Sequence, residues 1–330
     1  MKLEYMGKAH YPPADFPRFE VDPELCNRCG RCVRTCPTHI LAMPEDGPPH
    51  IRGYKGLEVA CLGCRNCEAV CPEDAVEVKG GYVVREGRYK SLHHGKVELP
   101  NPFGQDEAPP LEEVEDRLTE TEKVIYKRRS NRLFKNREVP DELLHRVMEA
   151  GRYSPTGGNC QSWEFVCIRD QELIRRIETS SLKSLRRMSE NYLKPGSRAA
   201  RWLWNLLSFW RPGDMDVRVM SGMDTAVLRD TLYFGAPAVI VVLSDKRGIG
   251  QPALDAGICA QNMVLAAHSL GLGTCYVGFI TALNTMPDKE LVKELGVEWP
   301  LRIATSIAVG WPKGRIDKAV PRQRPRITWK

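Results

Sequence analysis

The sequence predicts an α+β protein in two parts, a small metal-held domain followed by a larger domain of helices and strands. Eight of the twelve cysteines fall in two copies of one short motif near the N-terminus. The later part of the chain mixes amphipathic helices with apolar strands without a strict βαβ rhythm. A length of 330 residues suits two domains. We therefore expect domains at 1–80 and 119–330, joined by a linker at 81–118.

Both cysteine motifs have the form Cys-x-x-Cys-x-x-Cys-x-x-x-Cys-Pro, and the second starts 35 residues after the first. Thiolates at this spacing bind iron–sulfur cubes, with three consecutive cysteines on one cluster and the fourth on the other. A pair of zinc sites is the competing interpretation, but zinc ribbons pair two Cys-x-x-Cys units across a long gap. The spacing thus favours two [4Fe–4S] clusters. Their predicted ligands are Cys26, Cys29, Cys32 and Cys71 for cluster one, and Cys61, Cys64, Cys67 and Cys36 for cluster two.

Residues 21–79 form this repeat, with a short β-like stretch after each Cys-Pro. So small a module has little apolar core, and we expect the clusters to hold it folded. It resembles the bacterial ferredoxins that carry two four-iron clusters. The linker is rich in Gly and Pro and includes His93-His94, for which a solvated loop is favoured because nothing nearby completes a metal site.

Composition and termini exclude several function classes. The net charge of +6 is too modest to indicate a nucleic-acid partner by itself. Residues 1–8 lack the apolar stretch of a signal peptide, and no run approaches the ~20 apolar residues of a membrane helix. Because most cysteines are assigned to metal rather than to disulfides, we expect the reducing environment of the cytoplasm.

The elements of the second domain follow from periodicity and capping. Thr119 or Thr121 caps a first helix, and a second helix begins at Pro140 and is closed by Gly151. The tail from Trp311 is rich in proline and predicts an extended arm rather than a core element. The other predicted elements are helices at 170–193, 252–270 and 287–295, and strands at 163–168, 236–243, 274–277 and 301–309.

Three stretches of this domain suit a flat, anionic cofactor. Arg128-Arg129-Ser130-Asn131-Arg132 offers guanidiniums and a hydroxyl to a phosphate or a ribityl chain, although alone it also fits a solvated turn. The glycines of 154–163 let the backbone approach a ring, while Asn159 and Gln161 supply amides. The third stretch, 271–278, is a strand closed by glycine whose main-chain groups can face a cofactor.

These motifs stand in the order found in the FMN-dependent nitroreductase family, which the chain resembles over residues 120–330. Gly310-Trp311-Pro312 and the Arg-rich tail also match, whereas Ser162 replaces the proline usual before the tryptophan. The resemblance implies a mixed sheet flanked by helices, and a homodimer with FMN between the subunits. It implies no catalytic acid or nucleophile, since the chemistry takes place at the flavin N5. The FMN-binding residues it implies are Arg128, Arg129, Ser130, Arg132, Pro155, Thr156, Gly157, Asn159, Tyr276, Val277, Gly278, Arg322 and Arg324.

The remaining cysteines are predicted to be packing residues, because none has an obvious histidine partner in the sequence. Cys160 and Cys275 lie inside the flavin motifs, and Cys167 and Cys259 are expected in the core. Asp255 is expected to be structural rather than catalytic.

Residues 183–223 interrupt this domain with three Trp and a Phe in 202–210, flanked by arginines. A lid that gives the flavin an aromatic-walled substrate pocket is the favoured interpretation. A dimer or domain contact and a membrane-surface helix are the alternatives. Stacking on single-stranded nucleic acid requires more dispersed aromatics and is not favoured.

The fusion of the two modules implies an electron path. Clusters pass one electron at a time, and flavin accepts single electrons and delivers a pair. We expect an external low-potential donor, ferredoxin-like or NAD(P)H, and a small electron-poor substrate such as a nitroaromatic, a quinone or an activated alkene. No Gly-x-Gly-x-x-Gly opens a βα unit, so a dedicated dinucleotide domain is not predicted. The alternatives are an electron-transfer subunit that reduces a partner protein, an NAD(P)H-dependent flavin reductase with structural clusters, and reductive dehalogenation on the same scaffold.

Overall fold

The computed structural model describes residues 14–52, 61–85, 97–193, 231–315 and 317–330, and of 188–193 only the backbone. These residues divide into two compact units. The first takes those up to Lys127 and from Asp317 to Lys330, and the second takes Arg128–Arg187 and 231–315. Most of the Trp-rich insertion and the His93-His94 pair lie outside the described residues, so the predictions for both stay open.

The first unit begins with short strands and two one-turn helices around the cysteine repeat. Antiparallel pairs join β1 to β6, β2 to β5 and β3 to β4. Helices α1 and α2 begin 35 residues apart, as the repeat predicts. The elements are β1 (Ala14–Asp15), β2 (Arg18–Val21), α1 (Arg31–Thr35), β3 (Leu41–Ala42), β4 (His50–Ile51), α2 (Asn66–Val70), β5 (Val76–Lys79), β6 (Val83–Val84) and β7 (Val97–Glu98).

The backbone of the repeat is as regular as its cysteines. Left-handed residues recur at the same offset of 35 positions in both copies. This conformation lets the chain turn sharply between successive cysteines, as it must if three thiols are to point toward one centre. The pairs are Arg28 and Gly63 (φ 58° and 65°), Gly30 and Arg65 (68° and 56°), and His39 and Asp74 (50° and 51°).

The segment predicted as a linker contains a further helix, α3 (Leu111–Val114), and the helix predicted from Thr119 or Thr121 follows it as α4 (Glu120–Lys127). Helix α4 starts with a capping box, in which Thr119 Oγ1 accepts from the amide of Glu122 at 3.3 Å and the Glu122 carboxylate accepts from the amide of Thr119 at 2.9 Å. The sequence predicted this cap.

A small apolar cluster shows that much of 97–118 is packed rather than linking. Leu111, Val114 and Leu118 are buried against one another and against Ala319 of the C-terminal tail. The tail was predicted to be an extended arm outside any core, so its contribution to this cluster is a correction. Alanine and a few prolines gave no apolar periodicity from which the contact could be predicted.

The second unit is a four-stranded sheet packed against helices. Each element falls within a few residues of its prediction, although Asp288 rather than Pro287 caps the helix at 289, by accepting from the amide of Leu291. The elements are α5 (Asp141–Arg152), β8 (Trp163–Ile168), α6 (Gln171–Leu193), β9 (Ala238–Asp245), α7 (Pro252–Ser269), β10 (Gly273–Tyr276), α8 (Lys289–Glu294) and β11 (Leu301–Gly310).

The sheet has the order β10-β11-β9-β8, with antiparallel neighbours throughout. A parallel bridge between Ser130 and Thr274 at the β10 edge makes it mixed, as predicted. Strand β9 is buried from Ala238 to Ser244, which explains its unbroken apolar run.

Helix α7 lies in the core against α5 and the strands, with Cys259 and Met263 fully buried. Gly151 permits this packing, because a Cβ at that position would lie 2.5 Å from Met263 Cε. The sequence assigned Gly151 to the helix end, whereas α5 continues to Arg152. Its role is close helix approach.

The C-terminal strand β12 (Arg322–Gln323) returns to the first unit, where it pairs antiparallel with β7. In the described part of the chain, none of the helices is both long and apolar enough to cross a bilayer.

Candidate functional site

The arginine segment lies along the β10 edge of the second unit's sheet. The amide of Asn131 donates to the carbonyl oxygen of Thr274 at 2.7 Å, beside the Ser130–Thr274 bridge. The Asn131 side chain covers Gly273, where a Cβ would lie 2.8 Å from Asn131 Nδ2. The structure therefore brings together two of the three predicted flavin motifs, and Gly273 is required for their contact.

The arginines of this segment are positioned to bind an anion. Arg129 is buried to 9% exposure. Arg132 has a buried Nη1 atom without a hydrogen-bond partner, and its guanidinium lies 5.7 Å from the ring centre of Phe234. Burial raises the pKa of the Tyr276 phenol, and the positive charge of nearby Arg128 acts in the opposite direction. A phosphate oxygen would satisfy the donor that Arg132 leaves unused.

The second predicted motif forms a tight loop between α5 and β8. Thr156 accepts two main-chain bonds, from the amide of Asn159 to its carbonyl at 3.0 Å and from the amide of Gln161 to its Oγ1 at 3.1 Å. Gly158, Asn159 and Gln161 are left-handed, with φ of 58°, 54° and 49°. Glycine and asparagine tolerate this conformation better than most residues, so the loop's composition accounts for its shape.

Helix α7 connects the loop to the strand motif through polar side chains that the sequence did not single out as site residues. Asp255 Oδ2 accepts from the amide of Gly157 at 3.3 Å, and Asn262 Nδ2 donates to Ser154 Oγ at 2.8 Å. Gln261 accepts from the hydroxyl of Tyr276 at 3.4 Å. Asp255 and Asn262 are seven positions apart and therefore lie on one face of an apolar helix. This spacing is the signal in the sequence from which their role could have been predicted.

The end of the strand motif, at Val277, is hydrogen-bonded to Ser306, whose hydroxyl is buried beside that of Tyr233. The amide of Val277 donates to the carbonyl of Ser306 at 2.8 Å, and Ser306 Oγ donates to the carbonyl of Val277 at 2.8 Å. The hydroxyl of fully buried Tyr233 lies 3.0 Å from Ser306 Oγ. A Cβ at Gly278 would meet nothing within 4 Å, so this main chain faces open space. Such a rigid, open backbone edge fits a planar ring.

Of the predicted flavin residues, Arg322 and Arg324 alone lie in the first unit. Arg324 donates from Nε and Nη2 to the Glu98 carboxylate at 2.6 and 2.9 Å. Arg322 is paired with Glu98 in the β12–β7 register. Their contact with a flavin phosphate remains a prediction from the resemblance.

The buried thiols of the two motifs interact with cysteines of both copies of the repeat. Burial raises the pKa of Cys32 to about 11, and the thiols that add to this effect are Cys29, Cys71 and Cys26. Burial likewise raises the pKa of Cys67, together with Glu68 and the thiols Cys64, Cys61 and Cys36. The neighbours of each buried thiol are thus members of its own predicted ligand set, including the cysteine that comes from the other copy.

The chemistry of these donors fits clusters better than single ions. Cys36, Cys61, Cys64 and Cys67 line one cavity in the first unit. Four thiolates around one cavity are the donors that a [4Fe–4S] cluster takes.

The other four cysteines have no thiol or histidine partner among the contacts found in the described residues. Cys275 and Cys259 are buried, as expected. Cys160 is half-buried, and its sulfur accepts from the amide of Ile249 at 3.3 Å. Cys167 was predicted in the core and is exposed on β8, because this strand lies at the edge of the sheet.

Two family models match the chain. Residues 125–311 match the nitroreductase family, and residues 25–75 match the 4Fe-4S dicluster domain. A putative NADH dehydrogenase/NAD(P)H nitroreductase of Archaeoglobus fulgidus is 25% identical over 61% of this chain and 90% of its own length. The chloronitrobenzene nitroreductase of Comamonas testosteroni is 26% identical over 57% of this chain and 85% of its own. The crystal structure of an FMN-bound nitroreductase from Desulfitobacterium hafniense covers 64% of this chain and 99% of its own, at 28% identity and a TM-score of 0.48.

Proposed function

The chain belongs to the nitroreductase family, and on this premise we propose that it is an iron–sulfur flavoenzyme that carries electrons between its two modules. Single electrons enter from a low-potential donor, pass through two [4Fe–4S] clusters and are collected at FMN. They leave as a pair to a small electron-poor substrate, such as a nitroaromatic, a quinone or an activated alkene. The observation that carries this proposal is the presence, in one chain, of two complete four-cysteine sets and of a flavin-family unit.

The bound groups supply the electron chemistry: the clusters transfer single electrons, and FMN couples two of these to a two-electron reduction at N5. The chain's own residues bind and orient these groups. Arg128, Arg129, Ser130 and Arg132 bind the phosphate end of FMN, with Arg132 contributing its unused donor. The loop residues Pro155, Thr156, Gly157 and Asn159 and the strand residues Tyr276, Val277 and Gly278 bind the rest of the flavin. The eight motif cysteines hold the clusters.

The assembly that we propose is a homodimer with FMN between the subunits, and the Trp-rich insertion forms a lid over the substrate. The homodimer comes from the family resemblance, and the lid comes from the three Trp and one Phe of 202–210. The insertion's lid role is tested by a structure with FMN bound, in which its tryptophans contact the open flavin face. Tryptophans that instead pack on another chain would replace the lid by an interface.

An anaerobic steady-state assay tests the electron path. Reduced ferredoxin is compared with NADH and NADPH as donor to wild-type protein and to a variant with Cys29→Ser and Cys64→Ser, one ligand from each predicted set. We expect ferredoxin-driven turnover in the wild type, and its loss in a variant that still binds FMN. Equal, rapid turnover of both proteins with a nicotinamide would overturn the path through the clusters.

A nicotinamide-driven flavin reductase with structural clusters is the second candidate. The name of the Archaeoglobus relative, an NAD(P)H nitroreductase, favours it. EPR of a partly reduced sample separates the two candidates. Cluster signals that disappear as substrate is added support electron transfer through the clusters, and signals that persist during turnover support the structural role.

A further inference from the structure

The two copies of the cysteine repeat differ in charge at two buried positions. Arg65 occupies in the second copy the position that Gly30 occupies in the first, and both residues are left-handed, with φ of 56° and 68°. Glu68 likewise corresponds to Val33. A left-handed backbone is unfavourable for an L-residue other than glycine. An arginine at a position where the other copy has glycine therefore requires a compensating contact.

That contact is a buried ion pair. Arg65 and Glu68 are each only 7% exposed. Arg65 Nη1 donates to Glu68 Oε1 at 3.0 Å, and Arg65 Nη2 donates to the carbonyl of Gly80 at 3.1 Å. Glu68 Oε1 also accepts from the amide of Val78. With Glu68 Oε2, which accepts from Arg65 Nη1 at 3.3 Å, the guanidinium is held by three acceptor atoms of the first unit.

Arg65 lies at the predicted site of cluster two. Arg65 lines the same cavity as Cys36, Cys61, Cys64 and Cys67, whereas Glu68 is not among the residues that line it. The arginines near the predicted ligands of cluster one differ from Arg65 in their exposure. Arg28 and Arg34 are exposed, and they donate to the main-chain carbonyls of Pro44 and Cys29. Water and salt screen exposed charges, while a buried charge keeps most of its field.

We propose that Arg65 raises the reduction potential of cluster two and thereby makes the two clusters of the repeat inequivalent. Reduction adds one negative charge to a cluster, and a fixed positive charge nearby stabilises the reduced form. Glu68 holds Arg65 in place, and its negative charge acts in the opposite direction on cluster two. The inference rests on the proposed function, because it requires that both clusters are bound and accept electrons.

A potentiometric titration of the intact holoprotein, followed by EPR, tests this inference. The wild type is compared with Arg65→Gly, which copies the first repeat, and with Arg65→Lys, which keeps the charge. Glu68→Gln removes only the opposing charge. Arg34→Gln is the matched control, since Arg34 is an exposed arginine that contacts the main chain of a cluster-one ligand. Iron analysis accompanies each sample.

We expect two distinct midpoint potentials in the wild type. Arg65→Gly shifts one midpoint potential to a more negative value, and Arg65→Lys keeps this potential close to that of the wild type. Glu68→Gln shifts the same midpoint potential to a more positive value. Arg34→Gln leaves both close to the wild type. If Arg65→Gly loses iron, the other two variants still decide the matter, because Glu68→Gln must shift one potential to a more positive value while Arg65→Lys keeps both close to the wild type.

The inference is overturned if iron-replete Arg65→Gly keeps both wild-type potentials, if both potentials move together, or if Arg34→Gln has as large an effect. A wild type that binds no iron, or whose clusters cannot be reduced, instead refutes the proposed function itself.

Discussion

The main-chain amide of Asn131 donates to the carbonyl oxygen of Thr274 at 2.7 Å, and this bond joins two motifs that are far apart in the sequence. Through it, the arginine segment lies along β10, whose following residues Val277 and Gly278 present an open backbone edge. The candidate phosphate donors and the candidate ring-binding strand are thus parts of one rigid edge of the sheet. The distance between the phosphate donors and the strand cannot change unless the Ser130–Thr274 bridge at the β10 edge breaks.

Arg132 is expected to bind the FMN phosphate. Arg132→Gln removes a buried donor that has no other partner, and a hydrogen bond to a charged group is worth about 1.5–3 kcal/mol. We therefore expect FMN affinity to fall by about 10- to 150-fold. Quenching of flavin fluorescence on titration of the apoprotein measures this change.

Riboflavin and Arg137 provide the controls for that measurement. Riboflavin lacks the phosphate, so its affinity should be the same for wild type and Arg132→Gln. Arg137 follows closely in the sequence, but its guanidinium lies over the Trp311 ring at 4.4 Å, and Arg137→Gln should leave FMN affinity unchanged. An equal loss for riboflavin and FMN would show that Arg132 acts on the fold rather than on the phosphate.

Asp255 is expected to hold the flavin-binding loop in shape. Its carboxylate accepts from the amide of Gly157 at 3.3 Å, and the side chain is 6% exposed. Asp255→Ala removes this acceptor at a cost of about 1 kcal/mol, so the amides of 156–161 should exchange with solvent faster. Hydrogen–deuterium exchange of the loop peptide measures the effect. Asp255→Asn keeps an oxygen acceptor and should exchange nearly as slowly as wild type; identical exchange in all three would exclude the contact.

Most of the fold of the second unit was predictable because its elements are long and regular. The unbroken apolar run of β9 and the apolar length of α7 each allowed one assignment. The cysteine spacing similarly allowed one assignment, to two four-iron clusters. These patterns are local, and neither depends on contacts with distant residues.

What the sequence could not reveal depends on contacts between distant residues. Gly151 resembles a helix end until the Met263 side chain is seen to occupy the space of its missing Cβ. Ala319 joins a core cluster only because the tail returns to Leu111 and Val114. Glu98 meets Arg324 for the same reason. Such contacts produce no periodic pattern in the sequence, because only the tertiary packing brings these residues together.

Glu178 is expected to anchor the chain where it returns to the second unit at 231. Its Oε1 accepts from Thr231 Oγ1 at 2.6 Å and from the amides of Leu232 and Tyr233 at 2.7 Å each. Glu178→Ala leaves buried amides without an acceptor, at about 1–3 kcal/mol for each such group. We expect the free energy of unfolding of this unit to fall by about 3 kcal/mol, measured by urea denaturation.

Two further variants make this measurement specific. Glu178→Gln keeps an acceptor oxygen and should lose less stability than Glu178→Ala. Glu172 lies on the same helix but is exposed, so Glu172→Gln should change stability by less than about 0.5 kcal/mol. A Glu178→Ala variant as stable as the Glu172 control would contradict the anchoring role.

Cys36 provides the most direct test of how the cysteines divide between the clusters. It belongs to the first motif, yet it lines a cavity with Cys61, Cys64 and Cys67 of the second. Two [4Fe–4S] clusters require about eight iron atoms per chain. A substitution at Cys36 should therefore remove or convert the cluster held by the second motif and leave the one held by Cys26, Cys29 and Cys32.

We expect Cys36→Ser to lower the iron content toward about four atoms per chain and to abolish one of the two EPR signals. Cys71→Ser should abolish the other signal, because Cys71 is the neighbour of Cys32. Cys167→Ser is the control, since that thiol is exposed and lies in the other unit. The crossed assignment fails if Cys36→Ser and Cys29→Ser remove the same signal, because the fourth cysteine of each motif would then serve the cluster of its own motif.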